Sequence, residues 1–191
     1  RMILEHDRVD FYDLSSLRYC GTGGDVLPPE VGIRWLTKFK TALYQGYGTT
    51  EFCGAICMSY AEDGIPPVGS AGRMLPESRW KLVDPETLDP VPPGEPGELL
   101  GTSPYAVKGY WNKPQETAES FTDDGWFKTG DKVEVDRFGY YKIVDRIKNI
   151  ICLSNGKNIA PAKIEALFTT SPYIEQLFVV GDERAVISTL L

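Results

Sequence analysis

The sequence predicts an α/β piece, then a small antiparallel β-barrel or sheet, then the start of a small α+β domain. Three observations predict it. Residues 17–48 read strand, helix, strand, with glycines closing both strands. From 66 to 145 turn signals crowd between short alternating runs. From 146 the composition shifts again, to two short strands, a helix and a hairpin. The expected divisions are therefore 1–65, 66–145 and 146–191.

Taken in order, "LRYCGTGG" (17–24) is a short apolar run ending on glycines. "PPEVGIRWLTKFK" (28–40) begins with prolines and spaces Val31, Trp35, Leu36 and Phe39 as one helical face. "ALYQGYG" (42–48) is a second glycine-closed strand. In βαβ units ligands bind at the carboxyl ends of the strands, where "CGTGGD" and "QGYGTTE" are expected. The next strands are "RWKLV", "GELLG", "KVEVD" and "GYYKIV", with a tight turn at Arg137-Phe138-Gly139. "IKNIICLSNGKNI" reads as two strands around a Ser-Asn-Gly turn. Pro161 then opens a helix that places Ile164, Leu167 and Phe168 on one face and stops at Ser171-Pro172. "QLFVVGDERAVISTLL" (176–191) reads as a hairpin.

Composition removes several functions. A net charge of −7 argues against a nucleic-acid partner, which needs a basic face. No run of about 20 apolar residues provides a transmembrane segment; contact with a membrane surface is left open. Four cysteines without CxxC pairing suggest reduced thiols and a cytoplasmic protein. The single histidine, His6, leaves no His-rich metal site and argues against a serine–histidine relay. Any metal would be a hard ion such as Mg²⁺, held by carboxylates and ligand phosphates.

"YGTTE" (47–51), "GELLGTSPYAVKGYWNKPQET" (97–117), "GWFKTGD" (125–131) and "DRIKNIICLSNGKNIAPAKIE" (145–165) follow one another in this order. Together they resemble the adenylate-forming superfamily: acyl- and aryl-CoA synthetases, luciferases and the adenylation domains of peptide synthetases. The resemblance implies the second half of a large N-terminal domain followed by the start of a C-terminal lid. Its cofactors and co-substrates are ATP or AMP, Mg²⁺ and coenzyme A, with a small carboxylic acid as substrate and the rest of the parent polypeptide as partner.

The resemblance also implies roles. Tyr47 would stack on adenine, a use suited to a flat, partly polar ring. Gly23, Gly24 and Asp25 would bring backbone against the adenine edge, and Gln45, Gly46, Gly48 and Thr49 would line the same nucleotide. Thr50 would donate to the α-phosphate, and Glu51 would help hold Mg²⁺. Asp131 would accept from both ribose hydroxyls, with Arg146 beside the ribose and phosphates. Thr50, Glu51 and Arg146 are the expected catalytic residues in this chain. Lys148 matches a hinge residue, and Gly156 the loop that lines the thiol's approach. Plainer readings stand beside these: turn-forming glycines, a core tyrosine, an Asp capping a turn, and a surface pair of Arg146 with Asp145. Lys163 departs from the family, many of whose members carry glutamate there.

The implied chemistry is activation of the acid to acyl-AMP and then thioester formation with coenzyme A. "LSNGKNIAPAKIE" and "VVGDERAVISTLL" look most like long-chain fatty acyl-CoA synthetases; a peptide-synthetase domain or fatty acyl-AMP ligase is the alternative. A non-catalytic nucleotide-binding module and a β-rich scaffold are the other classes. The family's phosphate-gripping loop and late catalytic lysine are not found in these residues. The chain therefore reads as a fragment that alone is expected to form no acyl-adenylate.

Overall fold

A computed structural model describes residues 2–168, 171, 173–174 and 176–190. Two compact units divide the chain: residues 1–78, 103–109 and 136–142, and residues 79–102, 110–135 and 143–191.

In the first unit, helix α1 (Met2–Glu5) precedes strand β1 (Cys20–Thr22), helix α2 (Pro29–Phe39) and strand β2 (Leu43–Thr49). The β1 and β2 strands pair in parallel, so the expected βαβ piece is present. Pro29 sits in the first turn of α2, where its missing N–H costs nothing. Val31 and Trp35 are buried, and Trp35 packs on Phe39 at 4.4 Å between ring centres. Lys40 ends the helix in the left-handed region, its N–H reaching the Leu36 carbonyl. Strands β3 (Gly54–Met58) and β4 (Arg73–Met74), which sequence reasoning did not foresee, extend the sheet antiparallel in the order β1-β2-β3-β4. Phe52, Ile56, Cys57 and Ala71 form the most deeply buried part of this unit's core.

The second unit is built on an open four-stranded sheet, β5-β6-β7-β8, and not on a barrel. Its strands are β5 (Arg79–Val83), β6 (Gly97–Thr102), β7 (Phe127–Val135) and β8 (Tyr141–Arg146); Tyr141 and Lys142 fall in the first unit. Helix α3 (Pro114–Ser120), absent from the sequence reading, precedes β7. Central strand β6 is buried along Gly97–Gly101, which is why its sequence does not alternate. Val83, Leu99, Leu100 and Val133 are fully excluded from solvent.

Strands β9 (Ile151–Cys152) and β10 (Asn158–Ile159) form the expected hairpin, followed by helix α4 (Pro161–Glu165). Strands β11 (Phe178–Val180) and β12 (Ser188–Leu190) pair antiparallel, again as expected. Ile151, Leu153, Leu177 and Val179 make a small core against which Ile159, Ile164, Ile174 and Ile187 pack. The expected face of α4 is corrected: Ile164 packs inward, but Leu167 and Phe168 lie in a 3-10 turn and are exposed. The tighter turn rotates them off the face that an α-helix would give. Pro172 and Leu191 lie outside the described residues.

One glycine carries more than a turn. The register of β2 against β3 shifts between Tyr47 and Gly48, and a Cβ on Gly48 would collide with the backbone carbonyl of Gly54. Gly48→Ala is expected to destabilise the protein by roughly 1–3 kcal/mol in urea unfolding. Gly46→Ala, whose Cβ would stand 3.3 Å from the Cys57 carbonyl oxygen, should cost less.

Candidate functional site

The first group of expected residues meets where β1 stops and β2 continues. Parallel pairing ends at Thr22↔Gln45; beyond it, Gly46–Thr49 pair only with β3 on the other side. The edge left open becomes a cleft of about 750 Å³. Gly23, Gly24, Gly46, Tyr47, Gly48, Thr49 and Thr50 all line it. Gly24 has φ +88°, a conformation natural to glycine, and a Cβ on Gly23 would stand 3.0 Å from the Gly46 carbonyl oxygen. The glycines thus serve the strand junction itself as well as the cleft. Gly46–Gly48 lie within the second strand as expected, and the strand runs one residue further, to Thr49, because β3 keeps their backbone paired.

Three expected residues stand off this lining. Gln45 is buried and donates from Nε2 to the Asp25 carbonyl, at 3.4 Å, so it braces the glycine turn from behind. Asp25 Oδ1 accepts from Val26 N–H at 2.7 Å. Glu51 follows Thr50 in a 3-10 turn, and its carbonyl accepts from Val107 N–H at 2.8 Å.

Sequence reasoning missed Tyr19 and Tyr44, which also line the cleft and stack 4.7 Å apart, 6° from parallel. The Tyr19 hydroxyl donates to the Ser59 carbonyl at 3.0 Å, and burial raises its pKa, so it stays protonated. Cys57, opposite Tyr47 in the ladder, is fully buried; burial pushes its thiol up to about 12, which disqualifies it as a nucleophile. Thr49 Oγ1 is buried without a hydrogen-bond partner in the protein. An orphaned hydroxyl in a wall of glycine backbone and threonines suits a polar, phosphate-bearing ligand.

The second group gathers on β7. Glu98 pairs with Lys132 and Leu100 with Lys128, so three residues of β7, Thr129 to Asp131, stand against Leu99 alone. This bulge explains Gly130 at φ +69° inside a strand. Thr129 Oγ1 donates to the Leu99 carbonyl at 2.8 Å and accepts from Asp131 N–H at 3.1 Å. Gly130 N–H donates to Glu98 Oε1 at 3.1 Å.

Asp131 is 2% exposed, and its Oδ1 accepts from Arg146 Nε at 2.9 Å. Arg146, about half exposed, also donates from Nη1 to the Thr129 carbonyl at 3.3 Å. The plainer expectation of an Arg146–Asp145 pair fails. Asp145 lies on the opposite side of β8, buried, accepting from its neighbour's N–H and from Ala162 N–H in the first turn of α4. Lys148 is exposed in the 3-10 turn that follows β8. Gly156, at φ +81°, occupies the β9–β10 turn, its N–H bonded to the Leu153 carbonyl at 2.8 Å. The structure therefore brings Asp131 and Arg146 together and leaves Lys148 and Gly156 outside that pair.

Residues 1–111 match the AMP-binding enzyme family, and residues 148–191 match the AMP-binding enzyme C-terminal domain. The chain belongs to the AMP-binding enzyme family. Within that family it is 39% identical over 179 residues to feruloyl-CoA synthase of Amycolatopsis sp., covering 94% of this chain and 36% of that protein. Its fold matches the crystal structure of the anthranilate CoA ligase AuaEII in complex with anthranoyl-AMP, with a TM-score of 0.83 and 28% identity. That match covers 98% of this chain and 35% of the ligase. It also matches O-succinylbenzoate coenzyme A synthetase (MenE) from Bacillus subtilis in complex with ATP and magnesium ion, with a TM-score of 0.81 and 28% identity over 98% of this chain and 38% of that one. The chain thus spans little more than a third of these relatives. Among the described residues no helix is long and apolar enough to cross a membrane, and no cluster of three or more His, Cys, Asp or Glu is placed to hold a metal ion.

Removing one half of the β7–β8 ion pair should expose its dependence. Arg146→Ala leaves the buried Asp131 carboxylate without its guanidinium and is expected to cost about 1–3 kcal/mol at pH 7. Asp131→Asn combined with Arg146→Ala should cost less than the sum of the single changes in a double-mutant cycle of urea unfolding.

Proposed function

We propose that this chain belongs to an AMP-forming acid–thiol ligase that converts a carboxylic acid to its coenzyme A thioester through acyl-AMP. The observation that carries the reading is the β1–β2 cleft, which gathers seven of the expected nucleotide residues in a chain of the AMP-binding family. The purine is assigned to this cleft, with the Tyr47 ring against the base and backbone of Gly23, Gly24 and Gly46 along its edge, braced by Gln45 and Asp25. The hydroxyls of Thr49 and Thr50 are assigned to phosphate. Glu51 is the carboxylate assigned to Mg²⁺, which would offset phosphate charge.

The ribose is assigned to Asp131. Its carboxylate lies beneath Arg146, so binding exchanges an existing hydrogen bond for those of the sugar hydroxyls. The half-exposed guanidinium is then released, and its fixed charge suits a phosphate. Lys148 is assigned as the hinge and Gly156 to the thiol's approach. The match of residues 148–191 to a C-terminal domain supports a division near 146.

In the first step a carboxylate oxygen attacks the α-phosphorus, and the bond to pyrophosphate breaks. In the second, the coenzyme A sulfur attacks the acyl carbon, AMP leaves with the bonding pair, and the thiol proton is lost. The attacking carboxylate is already anionic, so the first step needs positioning and charge neutralisation, not a strong base. A buried, protonated Cys57 and a solitary His6 fit that requirement.

The acid is read from sequence as a fatty acid. An aryl acid is the second reading, favoured by the feruloyl-CoA and anthranilate relatives. Four free thiols support a reducing, cytoplasmic setting.

Calorimetric titration of the chain with AMP tests the assignment. Tyr47→Ala and Asp131→Ala should each weaken binding at least tenfold, about 1.4 kcal/mol. Absence of AMP binding, or affinity unchanged by both substitutions, would overturn it. With the whole protein, ATP–pyrophosphate exchange across linear and aromatic acids decides between the two acid classes.

A further inference from the structure

Glu98 is a carboxylate in a place built for an aliphatic residue. It stands on the central strand of its sheet, 6% exposed, near the fully buried Val83, Leu99, Leu100 and Val133. Burying a carboxylate is costly unless its hydrogen bonds are supplied. Here the supply comes from the bulge. In a regular ladder the N–H of Gly130 would find a carbonyl on β6, but three residues facing Leu99 break that pattern. Two side chains make up the loss: Thr129 Oγ1 takes the Leu99 carbonyl, and Glu98 Oε1 takes the Gly130 N–H. The peptide between Thr129 and Gly130 is thereby held by Glu98, the next one by the Thr129 hydroxyl, which accepts from Asp131 N–H, and the Asp131 carboxylate by Arg146.

We propose that Glu98 is a positioning residue, which fixes the Gly130 peptide and through it the aim of the Asp131 carboxylate. Its consequence for ligands rests on the nucleotide reading above; its geometry does not. The side chain also borders a cavity of about 250 Å³ with Asp84, Lys132, Asn158, Ile147 and Ile150, the two isoleucines bracketing the turn that carries Lys148.

The charged groups that face Glu98 are Lys128, Asp131 and Lys132 on β7 and Asp84 just after β5. Burial raises its carboxyl above 4.5, opposed by the Gly130 N–H and the Lys128 charge and reinforced by Asp131. Protonation therefore begins above the ordinary glutamate range. It replaces a charge-assisted acceptor with a weaker neutral one, so the hold on Gly130 loosens as pH falls through the raised value.

The test follows the Gly130 amide by ¹H–¹⁵N NMR from pH 7.5 downward and measures AMP affinity by calorimetry at pH 7.5. The Gly130 proton should move upfield in a step centred above the ordinary glutamate range, and Glu98→Gln should abolish that step. Because a glutamine carbonyl accepts the same N–H, Glu98→Gln should keep AMP affinity within about threefold, whereas Glu98→Leu should lose at least tenfold. A Gly130 amide that does not follow the Glu98 titration overturns the proposal, as does a Glu98→Leu variant that binds AMP like the unaltered chain. If Glu98→Leu fails to fold, the Glu98→Gln titration decides. If the unaltered chain binds no AMP, the nucleotide reading fails while the Gly130 titration still decides the positioning role.

Discussion

The bulge at Thr129–Asp131, with Gly130 at φ +69° inside a strand, is the constraint on which the Asp131–Arg146 pair depends. Regular pairing would have placed Thr129, Gly130 and Asp131 opposite three residues of β6; only Leu99 is there. The excess bends the strand and leaves backbone groups to be satisfied by side chains. Thr129 and Glu98 satisfy them, and the result is a buried carboxylate at Asp131 facing a half-exposed arginine. A pair of this kind contributes little net stability, because desolvation consumes most of the attraction. What it provides is a defined orientation for the carboxylate.

The β1–β2 cleft arises from another interruption. The β1 strand ends two residues after Cys20, while β2 runs on to Thr49 with its other edge paired to β3. The unpaired edge and its glycines are left open only because the sheet loses a strand there. The cleft and the buried ion pair each sit where a β ladder fails. That is where polar groups cease to be consumed by the fold.

Much of this was legible in the sequence, for identifiable reasons. The βαβ piece could be read because glycines close both strands and α2 keeps its apolar residues at helical spacing. The β9–β10 hairpin could be read because Gly156 marks its turn. The short β3 and β4 strands and the α3 helix gave no comparable period. The start of β7 was hidden because "KTGD" has the composition of a turn, and the bulge interrupts the alternation that marks a strand. Glu98 was passed over because "GELLG" lies on a central strand buried on both faces, where a single acid carries no periodic signal. The Arg146–Asp145 expectation failed because adjacent strand residues point to opposite faces, which a sequence neighbour conceals.

The carboxylate set by the β7 bulge is the proposed acceptor for the ribose of a bound adenosine phosphate. Comparing the affinities of AMP, 2′-deoxy-AMP and 3′-deoxy-AMP tests it most directly. A carboxylate that accepts from both hydroxyls predicts that each deoxy analogue binds at least tenfold more weakly than AMP, and that Asp131→Ala makes the three nucleotides equivalent. Equal binding of all three nucleotides by the unaltered chain would contradict the claim.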